Sequence, residues 1–75
     1  MVQVNVRLFA TFRENREKEM MMDLAQGATP RDVIEYLNIP EEEVAIILIN
    51  GRHQELGTAL QDNDTLSLFP PVGGG

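Results

Sequence analysis

Cysteine is absent from these 75 residues, as is tryptophan, and the aromatic complement is one tyrosine and three phenylalanines. Without thiols there is neither a disulfide nor a thiolate metal ligand to supplement the core, and no sulfur nucleophile for covalent catalysis. A chain this short buries only about 60% of the surface its unfolded form exposes, so it is expected to build one domain held by apolar packing. Basic residues are scarce too: 6 Lys and Arg stand against 12 Asp and Glu, a formal charge of -6. Phosphate neutralisation needs clustered cations, so this balance argues against a nucleic-acid binder. It suits a soluble protein, and a partner that presents a basic face. No apolar run approaches membrane-spanning length, and "MVQVNVRLFA" lacks the basic start and continuous apolar block of a signal peptide. The expectation is a cytoplasmic protein, monomeric when free, that engages neither membrane nor nucleic acid.

What is present is patterned. Val2, Val4, Val6 and Leu8 alternate with Gln3, Asn5 and Arg7, the signature of a half-buried strand. "ATFRENREK" reads as a polar loop around Phe12, and "EMMMDL" alternates again, with Met20, Met22 and Leu24 on the core face and Met21 free to face solvent. Thr29 as N-cap, Pro30 at the first helical position and Asp32 three residues after the cap announce a helix burying Val33, Ile34 and Leu37, with Tyr36 at its border. Asn38 and Pro40 are suited to ending it. "VAIILI" (residues 44–49) is apolar throughout, as expected of a central strand covered on both faces, and Asn50-Gly51 closes it with a tight turn. "ELGTALQDND" reads as loop, with one short helical turn holding Leu56 and Leu60. "TLSLF" is the last strand, with Leu66 and Leu68 inward and Thr65, Ser67 and Phe69 on the other face; Pro70 and Pro71 stop it because neither donates to a ladder. The pattern is α+β, one helix packed on one face of a mixed sheet of four to five strands.

Chemistry-bearing constellations are few. Glu41, Glu42 and Glu43 are consecutive and so do not converge on one point, which makes them a solvated turn. His53 has no second His or Cys nearby to make it a ligand. Asp62 and Asp64 start like a calcium loop, but its sixth and twelfth positions hold Ser67 and Gly73, so turn chemistry accounts for them. No metal site and no bound cofactor are expected, and no Ser-His-Asp or HExxH arrangement can be assembled. The candidate for chemistry is the end of the chain. In "PPVGGG" two prolines fix the exit direction of residues 70–75 from a folded body of residues 1–69, and three glycines without Cβ fit a slot too narrow for side chains. A frayed terminus is the plainer reading of glycines alone, but fraying needs no rigid spacer. The Gly75 carboxylate is the group an enzyme could enclose and activate with ATP.

"VRLFATFRE", "TPRDVIEYL", "ILING" and "LQDNDTLSLFPPVGGG" together resemble the MoaD family, the small subunit of molybdopterin synthase among the MoaD/ThiS ubiquitin-like sulfur carriers. The resemblance implies a β-grasp fold with the first and last strands parallel at the sheet's centre. It also implies that Gly75 is adenylated by a partner related to ubiquitin-activating enzymes and converted to a thiocarboxylate, with Gly74 as the second glycine of the tail. The sulfur would then be used by the large subunit of molybdopterin synthase to build the pterin dithiolene that holds molybdenum or tungsten. Phe69, Pro70, Pro71, Val72 and Gly73 would form the neck gripped by partners, Gly73 standing where relatives often carry Ala or Ser. Two other readings use the same activated carboxylate: a thiamin-thiazole carrier of the ThiS type, disfavoured by the proline pair, and a ubiquitin-like modifier joined to lysines, for which Lys18 is the one internal lysine. In each of them the chain itself is not a complete enzyme.

Overall fold

The computed structural model describes residues 1–71. The alternation at the N-terminus becomes β1 (Val2–Leu8), a 3-10 turn follows (Ala10–Arg13), and the methionine stretch becomes β2 (Glu19–Leu24). Then come the helix α1 (Pro30–Tyr36), a second 3-10 turn (Glu41–Glu43), β3 (Ile46–Ile49), β4 (Arg52–His53) and β5 (Thr65–Phe69). The five strands form one sheet in the order β2-β1-β5-β3-β4. β1 and β5 run parallel side by side, and every other neighbouring pair is antiparallel. This is the ubiquitin-like β-grasp arrangement, with the first and last strands central as the resemblance implied.

α1 covers one face. Val4, Val6, Leu8, Leu66 and Leu68 from the two central strands meet Val33 and Ile34 of the helix in a core closed by Ile47, Ile49 and Leu60. The helix begins as its sequence announces: the Asp32 carboxylate accepts from the Thr29 N–H at 2.9 Å and from its hydroxyl at 3.3 Å, satisfying an N-cap donor. It ends at Asn38, whose φ of 60° is the left-handed conformation a helix stop requires. The Ile39 N–H then reaches back to the Ile34 carbonyl at 2.9 Å, and Ile39 is driven into the core. Arg16 braces the same end, its guanidinium donating to the carbonyls of Phe12, Leu37 and Asn38.

Four local readings are revised by the structure. β3 is shorter than the apolar run and lies fourth in the order; its Ile46 and Leu48 are only half-buried, and the more buried strand is β5, at the centre of the order, where even Ser67 is buried. Tyr36 is 74% exposed rather than at a border, because the seven-residue helix turns that position away from the sheet. Leu56 and Leu60 occupy no helical turn: their backbone is taken by non-local bonds, the Arg31 N–H to the Leu56 carbonyl and the Leu60 N–H to the Ala28 carbonyl. Conversely, the "ATFRENREK" loop contains an ordered 3-10 turn that buries Phe12.

Asn50 and Gly51, with φ of 54° and 82°, make the two-residue hairpin turn between β3 and β4. The Asn50 side chain donates to Asp64 Oδ1 at 2.8 Å and accepts from the Thr65 N–H at 3.0 Å, tying that hairpin to β5. Asp64 Oδ2 accepts from the Gln61 N–H at 2.8 Å, and Asp62 Oδ1 from the Gln3 N–H at 2.8 Å. The two aspartates are turn residues that start β5 beside β1, as the sequence reading held.

Candidate functional site

β5 delivers the chain to the proline pair from the middle of the sheet. Its last residue, Phe69, lies on the face that α1 leaves open, opposite Ile46 of β3. On its other side the Phe9 N–H bonds to the Leu68 carbonyl at 3.2 Å, extending the parallel ladder one residue past β1. Phe9 has the parity of Gln3, Asn5 and Arg7, so its ring also falls on the open face. The rings of Phe9 and Phe69 stack with centroids 4.3 Å apart and planes 9° from parallel. Arg13 and Arg7 bring their guanidinium carbons to 5.1 and 5.5 Å from the Phe9 centroid, within cation–π range. The Arg13 Nε–H is held by the Leu8 carbonyl at 2.7 Å, which fixes the 3-10 turn against the end of β1.

The exit of β5 is thus a half-buried aromatic pair flanked by two cations, in a protein whose formal charge is -6. The sequence reading expected a partner with a basic face; at this point the local charge has the opposite sign. Pro70 is half-buried and Pro71 is exposed. Of the neck residues expected from the sequence, Phe69, Pro70 and Pro71 are therefore placed together at one site. Val72, Gly73, Gly74 and Gly75 lie outside the described residues.

Other candidates do not join it. His53 is exposed on β4, cross-strand from Leu48. Glu41, Glu42 and Glu43 sit in an exposed 3-10 turn, where Glu41 meets Arg31 at 3.3 Å in a solvent-exposed ion pair worth little to stability. Among the described residues no group of His, Cys, Asp or Glu is arranged to hold a metal ion, and no helix is long and apolar enough to cross a membrane. Among the described residues the arrangement holds no acid–base pair; what it offers is an aromatic platform at the end of β5. Phe9, Arg7 and Arg13 were missed in the sequence. The available signal was the shared parity of Phe9 and Phe69 with the open face, but only the β1–β5 pairing brings the two rings together.

The ThiS family model matches residues 6–75. The chain is 34% identical to small archaeal modifier protein 3 of Haloferax volcanii over an alignment of 92 residues that covers 99% of this chain and all of that one. It is similar in structure to a Pyrococcus furiosus protein assigned as subunit 1 of the molybdopterin converting factor, with a TM-score of 0.78 and 32% identity over 96% of this chain and 100% of the other. A complex of subunits 1 and 2 of the molybdopterin-converting factor from Helicobacter pylori also contains a similar chain, with a TM-score of 0.67 and 28% identity over 99% of this chain and 100% of that one.

Proposed function

Because the chain belongs to the ThiS family of MoaD/ThiS ubiquitin-like proteins, we propose that it is a sulfur carrier whose working group is the Gly75 carboxylate. The reading is carried by one observation: the central strand β5 ends on the Phe9–Phe69 platform and passes directly into Pro70 and Pro71, whose fixed φ makes a stiff exit at a defined point of the body. A carboxylate carried this way can be presented to an enzyme while the domain docks beside it.

The chemistry is that of carboxyl activation. A carboxylate oxygen of Gly75 attacks the α-phosphorus of ATP in a separate adenylating protein, pyrophosphate leaves, and an acyl-adenylate forms. Hydrosulfide then attacks the acyl carbon, AMP leaves, and loss of the S–H proton gives the thiocarboxylate. The chain's own residues contribute docking and narrowness: Phe69, Pro70, Pro71, Val72 and Gly73 as the neck, Gly74 and Gly75 as the segment that enters the slot. The consumer proposed for this sulfur is molybdopterin synthesis, with the synthase large subunit as partner; the support is the proline pair and the likeness to subunit 1 of molybdopterin-converting factors.

A second reading, attachment of Gly75 to lysines of other proteins, is favoured by the identity to a small archaeal modifier protein. Both readings share the acyl-adenylate and part at the nucleophile. Intact-mass spectrometry after incubation with ATP, sulfide and the cognate adenylating enzyme tests the first. Exchange of one oxygen for sulfur, lost when Gly75 is deleted, is the expected result. No mass change with a demonstrably active enzyme overturns the carrier, and isopeptide-linked adducts found in its place would establish the modifier.

A further inference from the structure

Among the described residues neither edge of the sheet has a further neighbour: β4, two residues long, closes one side, and β2 ends the other, pairing only with β1. The bond from the Leu8 N–H to the Lys18 carbonyl, at 2.9 Å, sets the phase of that ladder. Met20, Met22 and Leu24 turn their main-chain groups toward β1, so Glu19, Met21 and Asp23 turn theirs outward. No proline and no lysine lie within the strand, and its register with β1 is unbroken by a bulge, so its one edge protection is the charge of Glu19 and Asp23. Met21 is 57% exposed. Between β2 and α1 runs a groove of about 380 Å³ lined by Met21, Met22, Asp23, Leu24, Asp32 and Tyr36. Its apolar floor is continuous with the core through Met22 and Leu24.

Two kinds of strand could close such an edge, and the charges choose between them. A second copy pairing antiparallel about Met21 would set Glu19 against Asp23 of the other molecule, and would do so twice, placing like charges directly across the new ladder. A strand with cations at those two positions would instead meet a carboxylate at each end. We propose that the β2 edge accepts an extended segment of a partner protein as a sixth strand. The segment has basic residues opposite Glu19 and Asp23, apolar residues opposite Met20 and Met22, and a freely chosen residue opposite Met21. Main-chain bonds to Glu19, Met21 and Asp23 supply the grip, and the two apolar side chains enter the groove beside Tyr36. This surface lies at the far edge of β1 from β5, and the inference does not rest on any chemistry of the tail.

The test is a titration of the full ¹⁵N-labelled chain with a capped peptide containing Lys-Val-Thr-Val-Arg, followed by amide shifts. Expected are saturable shifts confined to β2 and α1 at about 1 mM peptide or below. A peptide N-methylated at its central Thr loses the bond to Met21, and a peptide with Glu in place of Lys and Arg reverses the end charges; each should bind about tenfold more weakly or worse. Met21→Pro removes the outward N–H without breaking a β1 bond and should act likewise, whereas Met21→Thr should retain binding. Should the proline variant fail to fold, the N-methylated peptide tests the companion bond of the same residue pair, the peptide N–H to the Met21 carbonyl, on the unaltered protein. Four outcomes overturn the proposal: no shifts, shifts centred on Phe9 and Phe69, equal binding of the acidic or N-methylated peptide, or β2 shifts that grow with protein concentration alone.

Discussion

Phe9 and Phe69 meet only because β1 and β5 are parallel neighbours, and the stacked pair therefore reports on the fold as well as on the tail. A stacked aromatic pair is worth about 0.5–1.5 kcal/mol beyond its buried area. A double-mutant cycle of Phe9→Ala and Phe69→Ala, read by urea unfolding, should give a coupling energy in that range; zero coupling would show the rings to be independent. Asn50 carries a second residue-scale load. It adopts a left-handed φ, donates to the buried carboxylate of Asp64 and accepts from the Thr65 N–H. Asn50→Ala removes both bonds and puts an alanine where φ is 54°, so a loss of about 2–3 kcal/mol is expected. Asn50→Gly restores the backbone freedom but not the bonds and should recover only part of that loss. Full recovery would mean that backbone strain, and not the Asp64 bond, sets the cost.

At the scale of elements, α1 is too short to stand alone: seven residues form a helix only with packing and capping to support them. Asp32→Ala removes the acceptor of the Thr29 N–H and should cost about 1 kcal/mol, measured as a lower urea midpoint with unchanged slope. The elements legible in the sequence are those whose signals are local. The period of two in β1 and β2, the Thr29-Pro30-Asp32 start of α1 and the Asn50-Gly51 turn each lie within a few residues and each appear in place. The misread elements depend on distant partners. The run of residues 44–49 looked central because apolar residues on both faces usually mean two covering layers. Here Ile46 and Leu48 owe their apolarity to an open face that also carries Phe69 and Phe9. Leu60 is buried by a loop whose bonds go to Ala28, a contact that no short-range pattern encodes. The candidate site divides in the same way. The proline neck was visible as a break after an alternating strand, whereas Arg7 and Arg13 become part of a platform only once the first and last strands lie side by side.

For the molecule as a whole, the distribution of charge bears on how the chain approaches a partner. The body is acidic, yet two of its 6 basic residues, Arg7 and Arg13, flank the point where β5 ends. Such an asymmetry orients a small protein during encounter, because the field beyond its surface acts before any contact forms. If the exit platform leads, the docking face of the proposed adenylating partner is acidic there, and replacing Arg7 and Arg13 together by Glu should slow association about tenfold at low salt. The effect should shrink as salt shortens the Debye length from about 10 Å at 0.1 M to about 3 Å at 1 M. If the acidic body leads toward a basic partner, the same double substitution accelerates association, and the wild-type rate still falls with salt. The sign of the change in association rate, measured by stopped flow across a salt series, therefore decides which surface is presented first. A rate indifferent to both substitution and salt would assign recognition to the apolar surface of Phe9, Phe69 and Ile46 alone. Unfolding should be read on the same variant, since every core side chain of the described residues lies between Val2 and Leu68, and both arginine side chains belong to exposed residues. A stability change of no more than about 1 kcal/mol would keep the kinetic result attributable to charge.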